Sequence, residues 1–128
     1  MFNIKSYFKE AIKQDASDIH IVGEELPLLR IEGELKELAA KPLNNKELET
    51  AIFGLLLATQ KTKYQAEHEL DFAYEQEGVR FRVNLHQQDD KIGLSGRLIP
   101  SEIPTPEELR FEPPLLEFPN LLDGLILL

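Results

Sequence analysis

The chain has 128 residues, enough to bury one core and too few for two. Its 23 acidic and 14 basic residues leave a formal net charge of −9, which argues against a nucleic-acid partner, because neutralising phosphates takes a broad basic face. No cysteine is present, which excludes disulfides and Cys-based metal sites and is in keeping with a reducing cytoplasm; no apolar run is long enough to span a membrane.

The opening "MFNIKSYFKEAIKQ" sets Ile4, Tyr7, Phe8, Ala11 and Ile12 at helical spacing. This predicts an amphipathic helix, without the apolar h-region of a signal peptide. "ASDIHIVG" alternates and predicts a short strand with Asp18 and His20 on one face. That pair could ligate a metal or act as a base with its orienter. The preferred reading is local: Ser17 or Asp18 caps backbone where helix turns into strand, His20 bonds nearby, and no third ligand is in view.

"LLRIEGELKEL" predicts two strands joined at Glu32-Gly33, with Arg30 and Glu32 as a same-face ion pair. Asn44-Asn45 offers an N-cap to a helix presenting Leu48, Ala51, Ile52, Leu55 and Leu56. "TQKTKYQAEHE" is polar and helical in composition. "LDFAYE" predicts a strand, placing Glu69 and Asp71 within reach of the basic segment that follows.

That segment, "VRFRVNLHQQDDKIGLSGRLIP" from Val79 to Pro100, reads as a β-hairpin: two alternating runs flank a polar, turn-prone centre. A turn centred on Asp89-Asp90 puts Arg82 directly across from Arg97, Asn84 across from Ser95 and Arg80 across from Ile99. Val79, Phe81, Val83 and Leu85 then share the apolar face with Leu94, Gly96 and Leu98. Like charges directly opposed on an exposed sheet cost a few tenths of a kcal/mol, about 0.2–1. Two readings of Arg82 and Arg97 stand: they meet a compact anion, or they splay into water and pair with surface carboxylates.

The order α-β-β-β-α-α-β-β-β is that of an α+β domain with a mainly antiparallel sheet. After Pro100 the texture changes. "SEIPTPEELRFEPPLLEFPN" is rich in proline and reads as a linker lying on a surface, with one short helix at Pro106–Leu109. "DGLILL" then reads as the start of a buried strand, or as a small edge strand. No Gly-rich phosphate loop, HExxH or nucleophile elbow occurs, so no set of residues is sufficient for catalysis by itself.

Taken in order, "ASDIH", "PLLRIEGEL", "LDF", "GVRFRVN", "GRLIPSEIPTPEEL" and "DGLILL" resemble the secretion-superfamily ATPases, and within them the PilT-type type IV pilus retraction (twitching-motility) ATPases. The likeness covers essentially the whole chain, and its specificity lies in the ordered series. The resemblance implies a PAS-like N-terminal domain over residues 1–100, with helices packed on one face of the sheet. It implies an interdomain linker over 101–122, and over 123–128 the first strand of a C-terminal P-loop ATPase domain that this sequence stops short of.

It further implies that arginines of the hairpin contact the phosphates of ATP bound by that second domain. Arg82 and Arg97 match best, and Arg80 belongs to the same "RFR" motif. ATP and Mg would then be cofactors of the longer protein only, and this stretch alone would not be an enzyme. The implied partners are the chain's own P-loop domain, neighbouring subunits of a homohexamer and an inner-membrane pilus platform protein. The implied location is the cytoplasm, peripheral at the inner face of the membrane. Arg110 stands where the family commonly has glycine after "EEL", and a proline-rich stretch follows it. The alternatives are a pilus-assembly or type II secretion ATPase domain, or a free-standing PAS-like module that binds an anion or a partner.

Overall fold

The computed structural model describes residues 3–127; Met1 and Phe2 of the expected first helix and Leu128 of the expected terminal strand lie outside the described residues. The chain runs α1 (Ile4–Lys13), β1 (Asp18–Val22), β2 (Leu28–Ile31), β3 (Glu34–Glu37) and α2 (Asn45–Phe53). It continues through α3 (Ala58–Glu67), β4 (Glu69–Gln76), β5 (Val79–Gln88) and β6 (Lys91–Ile99). The expected order of elements is the observed one, and the α+β class with helices on one face of an antiparallel sheet is the observed fold.

Each helix starts where its sequence supplies a cap. The Asn3 carboxamide accepts from the Lys5 amide (3.1 Å), and Asn44 accepts from the amides of Lys46 (3.1 Å) and Glu47 (3.2 Å). At α3 the Gln60 side chain reaches back to accept from the Leu57 amide (2.9 Å). Helix α2 stops at Phe53, so Leu55 and Leu56 extend its apolar stripe from outside the helix, and Leu56 is still buried.

The six strands lie in the order β3-β2-β1-β6-β5-β4, every neighbouring pair antiparallel. The hairpins β2–β3, β4–β5 and β5–β6 are each closed by two residues at positive φ: Glu32-Gly33, Glu77-Gly78 and Asp89-Asp90. Paired positive φ is the mark of the type I′ turn, whose twist matches that of the strands it joins. Asp-Asp takes that turn in β5–β6 despite lacking glycine, and the register holds without a slip: Arg82 opposite Arg97, Asn84 opposite Ser95, Arg80 opposite Ile99.

One long-range ladder joins the two three-stranded halves: β1 runs against β6, from Asp18 opposite Arg97 to Val22 opposite Gly93. The helices cover the face carrying Ile19, Ile21, Leu29, Phe72, Phe81, Val83, Leu85 and Leu94. Phe8 of α1 is fully buried there, with its ring 4.7 Å from that of Tyr74 and edge-on to Phe81 at 4.9 Å. Among the described residues the opposite face of the sheet carries no α-helix.

Past Ile99 one expectation is corrected. Pro106–Leu109 is a hydrogen-bonded turn, not a helix: the Thr105 amide donates to Glu108 (2.8 Å), the Glu108 amide donates to the Thr105 hydroxyl (3.3 Å), and Arg110 leaves it at φ +55. A 3₁₀ helix forms instead over Pro113–Asn120, opened by prolines whose missing N–H groups cost nothing in a first turn. Side chains from 101 to 127 are exposed apart from half-buried Leu115 and Phe118, and Asp123–Leu127 pair with no strand among the described residues.

Gly96 sets how closely α1 can approach the sheet. A Cβ there would stand 2.9 Å from Ile19 Cγ2 and 3.5 Å from Phe8 Cε1, both inside the core. Gly96→Ala is expected to lower stability by about 1–3 kcal/mol through overpacking, measured by urea unfolding; an unchanged midpoint would show that α1 can shift to make room.

Candidate functional site

The uncovered face of the sheet is built from alternate residues of the same strands whose other residues fill the core. Reading across β2, β1, β6, β5 and β4, one row is Arg30, Asp18, Arg97, Arg82 and Ala73. The next row is Leu28, His20, Ser95, Asn84 and Asp71. Together Asp18, His20, Asp71, Arg82, Asn84, Ser95, Gly96 and Arg97 line an open groove of about 420 Å³.

Its centre is the ion pair between Asp18 and Arg97. Arg97 Nε donates to Asp18 Oδ1 at 2.8 Å; the carboxylate is buried, at 7% exposure, while most of the arginine side chain remains in solvent. The other carboxylate oxygen accepts from the Ser17 hydroxyl (2.8 Å) and has Arg30 Nε at 3.6 Å. Asp18 therefore caps no helix end, and Arg30 pairs with Asp18, not with Glu32, while its Nη1 donates to the Gly33 carbonyl at 3.0 Å. Nor do Glu69 and Asp71 pair with the hairpin arginines: in the β4–β5 register Glu69 faces His86 and Asp71 faces Asn84. The missed partner was Asp18. Its shared face with His20 was legible, but its neighbour across the sheet was not.

Arg82 is placed differently from Arg97. It lies directly opposite, is exposed, and makes no hydrogen bond or ion pair among the described residues. Arg80 stands one pair further along, between Ile99 and Glu75, and opens onto a neighbouring depression that Arg82 also lines.

Burial acts most strongly on the Asp18 carboxyl and would raise its pKa. The hydrogen bonds from Arg97 and Ser17, with the charges of Arg97 and His20, outweigh burial and hold it below the ordinary value. His20 is lowered, first by burial and then by Arg30, Arg97 and His86, against the opposing pull of Asp18. It is therefore a neutral imidazole at neutral pH. Its Nδ1 lies 3.3 Å from the Ser95 hydroxyl, and its buried Nε2 has no partner among the described residues. Among the described residues no group of three or more His, Cys, Asp or Glu could hold a metal ion.

Two outcomes follow for the chain by itself. Arg97→Ala strips a buried carboxylate of its main partner and is expected to cost about 1 kcal/mol, discounted for the exposure of the arginine. Arg82→Ala removes one member of a like-charge pair and is expected to be neutral or stabilising by a few tenths, about 0.2–0.5 kcal/mol; equal losses in thermal melts would contradict this asymmetry. The second concerns pH. The folded state resists protonating His20, whereas the unfolded chain takes up that proton near pH 6.5. Stability is thus complete above about pH 6.5 and declines as the pH falls towards the lowered value, with a further decline below about pH 4 as Asp18 protonates. His20→Asn is expected to flatten the first decline and leave the second.

No protein-family model matches the chain. It is 36% identical over 98 residues, 76% of its length, to the type IV pilus retraction ATPase PilT of Pseudomonas aeruginosa, and 26% identical over 117 residues, 91% of its length, to the type IV pilus ATPase PilU of the same organism. It spans 28% and 31% of the lengths of these two relatives. A crystal structure of the pilus retraction motor PilT with bound ADP superposes on 94% of the chain with a TM-score of 0.78 at 28% identity, the match taking up 36% of that structure. The ATPase DotB of Legionella pneumophila shares the fold, with a TM-score of 0.75 at 23% identity over 91% of this chain and 35% of DotB. By sequence and by fold, the chain is a homologue of the PilT and PilU type IV pilus ATPases and corresponds to their N-terminal region.

Proposed function

We propose that this chain is the N-terminal domain of a type IV pilus retraction motor, and that Arg82 and Arg97 contact the phosphates of ATP held by a P-loop domain that follows it. Arg80 contributes less, from its position beside Ile99. In this reading residues 101–122 link the two domains and 123–128 begin the first strand of the second. Mg and ATP are cofactors of that longer protein, which works as a homohexamer in the cytoplasm against a pilus platform protein at the inner membrane. No helix of the described residues is long and apolar enough to cross a membrane.

The observation that carries the reading is the arginine pair itself. Two guanidinium groups face each other on an uncovered sheet of a chain with net charge −9, and among the described residues only one of them has a carboxylate partner. Arg82 lacks the anion that would compensate the repulsion, and a leaving γ-phosphate is such an anion. Two arginines with their planar forks suit phosphate oxygens, and an arginine acting on a transferring phosphoryl group is worth on the order of 10³-fold or more in rate. The ADP bound by PilT supports a nucleotide as the source of that phosphate.

Because the charge that these arginines meet grows as the γ-phosphate departs, their contribution falls on the transition state more than on bound ATP. In the longer protein, Arg82→Ala and Arg97→Ala are each expected to lower ATPase kcat by about ten- to a thousand-fold, with nucleotide affinity changed far less. Arg80→Ala is expected to have a smaller effect. The chain of 128 residues alone, which has no P-loop, is expected to show no Mg-dependent ATP turnover. Unchanged kcat in both alanine variants would sink the assignment and leave the arginine face to a free-standing anion- or partner-binding module.

A further inference from the structure

The two arginines of the groove are held in different ways, and the difference has a chemical use. Arg97 is gripped by Nε alone: its bond to Asp18 Oδ1 is 2.8 Å, and its two terminal nitrogens make no bond among the described residues. An arginine–carboxylate pair is frequently bidentate, with two parallel N–H···O bonds. Here Nε alone is engaged, and both terminal nitrogens are left over.

The grip comes from a fixed seat. Asp18 is buried within the sheet, one strand over from Arg97 in direct register. Its second oxygen is occupied by the Ser17 hydroxyl at 2.8 Å, with Arg30 at 3.6 Å on the side away from Arg97. The carboxylate therefore cannot rotate freely to follow a moving guanidinium. Arg82, opposite, is exposed and has no such tether among the described residues.

We propose that Asp18 is a positioning residue for Arg97: it takes the guanidinium by Nε and holds it over the groove, with the two terminal nitrogens presented to a phosphate. The proposal rests on the phosphate-facing role of Arg97 given above and adds a division of labour. Arg97 is pre-set by Asp18, with Ser17 and Arg30 fixing the carboxylate, while Arg82 is the mobile member that closes on the anion when it arrives. Pre-setting a catalytic group removes from the reaction step the cost of finding its geometry, and small misplacements of such groups carry large rate penalties.

The tether is read in the chain of 128 residues without nucleotide, by ¹⁵N–¹H spectra of the arginine side chains. The Nε proton of Arg97 is expected to exchange with water at least about tenfold more slowly than that of Arg82, and Asp18→Ala is expected to abolish the difference while the backbone amide spectrum stays folded. Equal exchange at the two arginines in the wild-type chain would overturn the proposal. The consequence is read in the longer protein: Asp18→Ala is expected to lower kcat about ten- to a hundred-fold with KM for ATP within about threefold. The double variant Asp18→Ala with Arg97→Ala is expected to be no worse than Arg97→Ala alone. Losses that multiply in the double variant would overturn the proposal, since Asp18 would then act through something other than Arg97.

Should Asp18→Ala fail to fold, Arg97→Lys serves in its place. Lysine keeps a cation on Asp18, and hence the melting temperature, but has nothing left over to present. Its kcat is expected to be as low as that of Arg97→Ala, and wild-type kcat would overturn the proposal. If Arg97→Ala leaves kcat unchanged, the phosphate-facing role falls; slow exchange of the Arg97 Nε proton would still establish the tether by itself.

Discussion

The antiparallel ladder between β1 and β6 is the constraint on which the rest of the molecule depends. The strands β1 to β3 and β4 to β6 form two three-stranded halves, and the ladder from Asp18–Arg97 to Val22–Gly93 joins them into one sheet. On the inner side this seam brings Ile19 beside Gly96, so that Phe8 can settle above the junction. On the outer side it brings a carboxylate from the first half against an arginine from the second. Core and groove are two faces of one register. A one-residue slip between β1 and β6 would turn either Asp18 or Arg97 into the apolar layer.

The two faces meet opposite physical demands. The inner face is settled by packing, and its aromatic contacts tolerate little change of volume. The outer face is settled by charge: a buried carboxylate among arginines, beside a histidine kept neutral by burial and by those same arginines. Asp18 offsets part of the repulsion between Arg97 and Arg82 from the Arg97 side.

How far the sequence reveals this follows from what alternation can and cannot encode. Alternate residues state which side of a sheet each side chain takes, and a tight turn fixes how two consecutive strands align. The β5–β6 register, including Arg82 opposite Arg97, is therefore readable from Val79 to Pro100 alone. Neither signal names the neighbour of a strand nearly 80 residues away. Asp18 was placed on the correct face with His20, but its pairing with Arg97 comes from the β1–β6 seam. The same gap led Arg30 to be matched with nearby Glu32 when its carboxylate lies on the adjacent strand. In the proline-rich tail the error is of another kind: "PTPEEL" carries a helix-start pattern that closes one turn and stops, while the 3₁₀ helix forms later, where prolines open it.

The sheet has two bare edges, β3 and β4, and both are acidic. Strand β3 exposes Glu34 and Glu37 on either side of Lys36, and β4 exposes Glu69, Asp71 and Glu75. A flat, unpaired edge is a template for further strands, and carboxylates along it make another copy's edge a poor match. The colloidal behaviour of the chain is accordingly tied to ionic strength. At low salt the edges repel one another, but at about 1 M salt charges separated by more than about 3 Å cease to interact appreciably. The charge-based part of the protection against sheet extension is therefore weakened by concentrated salt.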